Sequence, residues 1–292
     1  MTRHRRAETN ALVLAGILAT ACVFGQTQEA PAPEPTRPPE GSRIINLPST
    51  EVPAAGTLGV LFTHRFKQAL GDSNARNLFS LDSGADDDFG VSYSPLNNLE
   101  VSLDRSSIEA DFELAFKYRF LPMAPNRPFA LALRVGGDAV TKENVENRQG
   151  FFAQGIAALA IGPRIRLTAN PTYVSNTALF RNVFNVPVAL SIAITRTVSF
   201  HGELYPRNRD FTEIPARPSG PGGVPAAVPG RRTNIGWIAS IEKTVLRHRF
   251  AFTVGNLRAT NVDQYTGSDP GGAGVPNRVF LGFNLVRQWK LK

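Results

Sequence analysis

The sequence predicts an all-β fold, a single antiparallel up-and-down transmembrane β-barrel of about twelve strands with a polar lumen. Three observations predict it. Apolar and polar residues alternate with period two along successive segments. The connections between those segments are long and short in turn. Aromatic residues collect near the two ends of the segments.

In chain order, residues 1–21 read as a signal peptide. Arg3, His4, Arg5 and Arg6 form a basic n-region, Ala11 to Leu18 an apolar run, and Ala19-Thr20-Ala21 a small-residue cleavage site. The apolar run is too short to span a bilayer as a helix. Cys22, the only cysteine, follows directly. Thr20-Ala21-Cys22 matches most of a lipobox, with Ala19 where Leu is usual, so Cys22 is lipidated, discarded by cleavage after Val23-Phe24-Gly25, or left unmodified behind a plain signal peptide. Either way the mature body contains no disulfide. Residues 22–50 read as a Pro-rich periplasmic linker: 26–39 (QTQEAPAPEPTRPP) lack the bulky apolar groups that would offset the entropy of ordering. Residues 51–292 remain for one β-barrel domain.

The formal net charge of +8 does not indicate nucleic acid, because the bases are scattered along strands and no basic stripe interleaves with aromatics. No second apolar stretch follows that could form a membrane helix, so the body spans a membrane only as a barrel.

Strands are expected at 55–66, 87–95, 98–106, 109–121, 128–140, 149–161, 164–175, 185–196, 198–208, 234–245, 248–259 and 278–290. Most have about nine to thirteen residues, enough for a tilted strand to cross hydrocarbon, and are longer than typical soluble strands. Alternation is plainest in the fourth. There Ala110, Phe112, Leu114, Phe116, Tyr118 and Phe120 share one face, and Asp111, Glu113, Ala115, Lys117 and Arg119 the other. Similarly Val188, Leu190 and Ile192 alternate with Ala189, Ser191 and Ala193, and Val198, Phe200, Gly202 and Leu204 with Ser199, His201, Glu203 and Tyr205.

Long connections fall near 67–86, 141–148, 176–184, 209–233 and 260–277. Short ones fall at Pro95-Leu96-Asn97, Pro122 to Arg127, Gly162-Pro163, Arg196-Thr197 and Leu246-Arg247, and only Ser106-Ser107 is shorter than its slot predicts. With the linker in the periplasm the long loops are extracellular, and an even strand count returns Lys292 to the periplasm. Tyr93, Tyr118, Phe120, Phe129 and Trp289 then lie at periplasmic strand ends, and Phe66, Phe89, Tyr173 and Trp237 at outer ends. Two such girdles suit the interfaces of a bilayer.

Four segments carry a resemblance: Thr63-His64-Arg65-Phe66, Leu81-Asp82-Ser83-Gly84-Ala85, Val101-Ser102-Leu103-Asp104-Arg105-Ser106 and Leu114-Ala115-Phe116-Lys117-Tyr118-Arg119. They resemble a bacterial outer-membrane β-barrel family, the domain of unknown function numbered 5777. The resemblance covers the first half of the barrel well and the second through strand rhythm. It implies a single barrel domain and supplies no catalytic or ligand residues.

Parity places the candidate pore-lining residues Glu113, Lys117, Arg119, Arg164, Arg166, His201, Glu203 and Glu242 inside, with Glu100, Asp104, Asp111, Asn170, Ser240 and Asn284 among others. Acids gather toward the outer end (Asp82, Asp86 to Asp88, Asp104, Asp111, Asp138) and bases toward the periplasmic end (Lys117, Arg119, Arg164, Arg166, Arg247, Arg249). Such an interior is either a narrow wet pore with an axial field or a lumen closed by its own ion pairs.

Catalysis is weakly signalled. A barrel hydrolase needs a serine within reach of a histidine on the lipid-facing side; His64 has that parity but no serine shares its face, and His201 points inward beside Glu203. Asp86-Asp87-Asp88 offers carboxylates for a divalent cation, though a charged loop leading into a strand is the commoner explanation. The glycines of 267–274 lack the strand–loop–helix setting of a phosphate cradle. The reading is therefore non-enzymatic and without cofactor: a small-solute pore or a structural membrane protein, with outer-membrane lipid and small charged solutes as partners. The alternatives are an exported non-spanning β-barrel that binds a small hydrophobic ligand and, last, an outer-membrane hydrolase.

Overall fold

The computed structural model describes residues 40–142, 149–177, 181–206, 235–266 and 278–291. The signal peptide, Cys22, linker residues 22–39 and the glycines of 267–274 lie outside the described residues.

Fourteen strand segments form one sheet that closes on itself. Two spanning strands are each interrupted once, so twelve strands form the wall. They are β1 (Thr57–Phe66), β2 (Ala85–Leu96), β3 (Leu99–Ser106), β4 (Asp111–Leu121), β5 (Phe129–Val140) and β6 (Gln149–Ile161). Next come β7 (Ile165–Ala169 with Thr172–Asn176), β8 (Arg181–Asn185 with Val188–Ala193) and β9 (Val198–Tyr205). The last three are β10 (Gly236–Val245), β11 (His248–Gly255) and β12 (Phe280–Lys290). The interruptions fall at Asn170-Pro171 and Val186-Pro187, where proline offers no N–H to a ladder. Each half of β7 still pairs with β6 on one side and with its half of β8 on the other. β1 pairs with β12 from Thr57↔Lys290 to Arg65↔Gly282. That seam removes the last open edge, which hydrocarbon would not tolerate.

The expected parity holds. Along β4 Asp111, Glu113, Ala115 and Lys117 are buried while Phe112, Leu114, Phe116 and Tyr118 are exposed; Glu113 is 2% exposed and Leu114 46%. Ser199, His201, Glu203 and Tyr205 of β9 are likewise buried. Register also sorts aromatics by height, with Tyr93 and Trp289 flanking Leu58 in one row at the periplasmic rim.

Several boundaries shift, most of all at β8, which runs from Arg181 rather than 185 to Ala193 rather than 196, and at β11, which ends at Gly255 rather than 259. After Gly255 the chain turns inward, through a short helix α1 (Val262–Thr266), and buries Leu257, Ala259, Val262 and Tyr265. From the opposite side residues 40–56 also fill the lumen. Where composition ended the linker at residue 50, the packed chain begins near Glu40, because Ile44, Ile45 and Leu47 bring apolar surface that the preceding Pro-rich run lacks. These two insertions meet Ala115, Phe152, Val174, Ala189, Tyr205 and Ile238 of the wall in one apolar cluster. The interior is thus charged along β2–β5 and partly apolar along β6–β10, where Phe152, Ile156, Val174, Val183 and Ile238 face inward.

A basic side chain at mid-depth on the lipid face of a barrel costs about 2–4 kcal/mol. Leu114→Arg should therefore lower barrel stability by about that amount in urea titrations in phosphatidylcholine vesicles. Leu78→Arg, in the first outer loop, should change it by less than about 0.5 kcal/mol. Equal costs at the two positions would contradict a lipid-facing Leu114.

Candidate functional site

The candidate site is the filled lumen. Its firmest anchor is Glu203 on β9. One carboxylate oxygen accepts the backbone N–H groups of Ile45 at 2.7 Å, Asn46 at 3.0 Å and Leu47 at 3.0 Å. The Tyr205 hydroxyl donates to the other at 2.5 Å. Three successive amides in a segment without secondary structure need such an acceptor once water is excluded. The carbonyls are met as well, since the Asn284 amide donates to Ile45 and that of Asn170 to Pro48, each at 3.0 Å. Asn46 ties the two insertions together by donating to the Ala259 carbonyl at 3.1 Å, and Arg65 holds the Asn46 side-chain oxygen at 3.0 Å.

The ion pairs form two groups. Toward the periplasmic end, Arg166 binds both Glu40 and Glu51 of the insertion, the latter at 3.1 Å. Arg119 also meets Glu51 at 3.3 Å. Lys117 donates to the carbonyls of Ser42 at 2.9 Å and Glu51 at 2.7 Å, and lies 3.4 Å from Glu100. Toward the outer end, Arg43 reaches Asp104 at 2.5 Å, Asp88 at 3.7 Å and Glu113 at 4.0 Å. Glu113 also pairs with Arg134 and accepts the Val262 N–H at 2.7 Å, so it touches both insertions. The insertion carries acids where the wall is basic and a base where the wall is acidic. Burial pushes the Glu40 carboxyl above its ordinary range, and Arg166 opposes that shift. Burial likewise works against charge on Arg43, but Asp104, Asp88 and Glu113 outweigh it and hold the guanidinium protonated.

Of the candidates read from sequence, Glu113, Lys117, Arg166, His201, Glu203 and Glu242 are buried in the interior. Arg119 lies nearer the rim, with its side chain 19% exposed. Arg164 sits half-buried in the turn before β7 rather than within the strand, its carbonyl accepting the Ala193 N–H at 2.8 Å. His201 is flanked by Ser191 and Ser199, each at 2.9 Å, and Glu242 takes Arg249 at 2.6 Å. The acidic triplet disperses, as strand alternation requires. Asp86 meets Arg258 at 2.6 Å, Asp87 turns outward to His64 at 2.6 Å, and Asp88 turns inward to Arg43. It therefore does not converge on one cation. His64 stacks on Phe283 with ring centroids 4.9 Å apart, and none of its described partners is a serine.

Sequence reasoning missed Glu40, Arg43 and Glu51, all in or beside the supposed linker. The available signal was the run Arg43-Ile44-Ile45-Asn46-Leu47, a charged and apolar patch that breaks the Pro/Glu pattern. Beside the seated insertion a cavity of ≈ 60 Å³ remains, bounded by Arg43, Ser92, Glu100, Asp104, Arg249 and Gln288. It is large enough for ordered water and small ions.

Three comparisons bear on kinship. No curated protein matches the chain. Among solved structures, a NanC porin is 11% identical over 80% of this chain and 100% of its own, with a TM-score of 0.47. An outer membrane channel from Pseudomonas putida F1 is 13% identical over 82% and 97%, with a TM-score of 0.47. Outer membrane phospholipase A from Escherichia coli is 10% identical over 89% and 94%, with a TM-score of 0.43. A family profile described as "membrane bound beta barrel domain" matches residues 40–289, a span that includes the luminal insertion from its first described residue. The chain belongs to that family, DUF5777, and is an outer-membrane β-barrel.

Proposed function

We propose that this barrel is a pore for small charged solutes, closed in the described state by its own residues 40–56 and by the inward loop after β11. One observation carries the reading: the insertion is seated on the wall chiefly through ion pairs and hydrogen bonds to charged side chains. A permanently filled interior has no need of them, because apolar residues of similar volume hold buried segments as well or better. A charged wall gains a use when the insertion leaves and water enters. The acids and bases sorted along the axis then face the passing solute.

The second reading, a permanently closed structural barrel, is favoured by the apolar cluster that binds both insertions to β6–β10. Catalysis has less support. Ser191, Ser199 and His201 are at most 1% exposed, and a serine sits on each ring nitrogen of His201, with the carboxylate of Glu242 3.9 Å from Nε2 and beyond hydrogen-bond distance.

Planar-bilayer recording separates the first two. The full chain should be mostly closed, Arg43→Ala should raise open probability at least tenfold, and Arg166→Glu should both open the pore and shift its selectivity toward cations. Folded, heat-modifiable variants that never conduct would overturn the pore reading. Glu203→Gln removes the charge that gathers three amides, and hydrogen bonds to charged groups are worth roughly 1.5–3 kcal/mol. Thiol labelling of Ile45→Cys should then speed up by about tenfold or more, since each 1.4 kcal/mol is a factor of ten. An unchanged labelling rate would mean that Glu203 does not hold the insertion in place.

A further inference from the structure

The charged cluster around Arg43 holds three buried carboxylates, and Arg43 is the one described residue that reaches all three within ion-pair distance. Asp88, Asp104 and Glu113 stand on three successive strands, in register Gly90↔Asp104 and Asp104↔Glu113. They are 0%, 2% and 2% exposed. Glu113 pairs with Arg134, which also donates to Gln154. Among the described residues, Asp88 and Asp104 come within ion-pair distance of one base, the guanidinium of Arg43. Among the described residues neither oxygen of Asp88 has a hydrogen-bond partner, and its contact with Arg43 is long, at 3.7 Å. The neighbouring Arg65 is engaged elsewhere, by Asn46, Asn284 and the backbone carbonyls of His64 and Phe283. Space is provided as well: a side chain at Gly90 would collide with the Asp104 carboxylate, so the glycine lets that group lie across the cradle. The cradle also opens onto the cavity beside the insertion, which Arg43, Glu100 and Asp104 line.

We infer that Asp88, Asp104 and Glu113 form a binding site for solute cations bearing a guanidinium or primary ammonium group, and that Arg43 is its built-in occupant. Planar N–H donors match carboxylates through paired hydrogen bonds, and a compact ammonium reaches the same oxygens singly. The inference rests on the pore reading for its physiological role. Entry of such a cation competes with Arg43 and loosens residues 40–56, so the transported class of solute also opens the path.

The test uses the full chain in detergent and in bilayers. Methylguanidinium at millimolar concentration should raise the unfolding midpoint of Arg43→Ala, ethylammonium should raise it less, and tetramethylammonium, which has no N–H, should leave it unchanged. Adding Asp88→Asn should weaken the methylguanidinium effect at least tenfold in apparent affinity. In the chain that retains Arg43, methylguanidinium should accelerate labelling of Ile45→Cys, which keeps the test open if Arg43→Ala folds poorly. No response to methylguanidinium in either form, or an equal response with and without Asp88→Asn, would overturn the cradle. A midpoint shift in a protein that never conducts would instead sink the pore reading and leave the cradle standing.

Discussion

Pairing of β1 with β12 is the constraint from which the rest of the architecture follows. Hydrocarbon offers no water to an unpaired N–H or C=O, so a sheet at membrane depth must close completely. Once closed, strand alternation leaves each side chain only two directions. The apolar row of β4 is committed to lipid, and Asp111, Glu113 and Lys117 are committed to the axis.

That commitment creates the demand that the insertions meet. Buried charges are stable only when paired and hydrogen-bonded, and a ring of twelve strands brings some carboxylates close to one another rather than to bases. Arg43 enters among the acids of β2–β4, and Glu40 and Glu51 enter among the bases of β4 and β7. Loop residues close the other side, with Asn261 donating to Asp111 at 2.9 Å and Gln154 of β6 to the Tyr265 hydroxyl at 3.0 Å. The apolar surface of Ile44, Ile45 and Leu47 completes the fit on the half of the wall that carries Phe152 and Ile238.

The wall was legible because its rule is local. Period-two alternation, loop length and the placement of Tyr93 and Trp289 each need only neighbouring residues, and together they gave the strand number, the direction of closure and the inward set from Glu113 to Glu242. The contents of the lumen were not legible, because their partners are remote. Nothing near Arg43 in sequence points to Asp88 or Asp104, and composition assigns the residues before it to a linker. Alternation also runs past Gly255 without a mark, although the chain there leaves the wall. On β6 both faces of Phe151-Phe152 are apolar, so parity could not say that the second ring has protein rather than water to pack against. Arg164 shows another limit: parity placed it inward, but it sits half-buried in the turn before β7, where strand alternation no longer applies.

The order of the chain gives the insertion a further consequence. Residues 40–56 precede every strand, yet the amide of Ile45 waits for Glu203, 158 positions later, and its carbonyl for Asn284, 239 positions later. Contacts so distant in sequence form late, because loop closure must come before they reward it. The earliest part of the body to leave the secretion machinery is therefore the last to find its place. Arg43 meets acids of β2–β4, the three amides need β9, and the Ile45 carbonyl needs the last strand. Full seating of the insertion therefore requires partners drawn from both ends of the strand order.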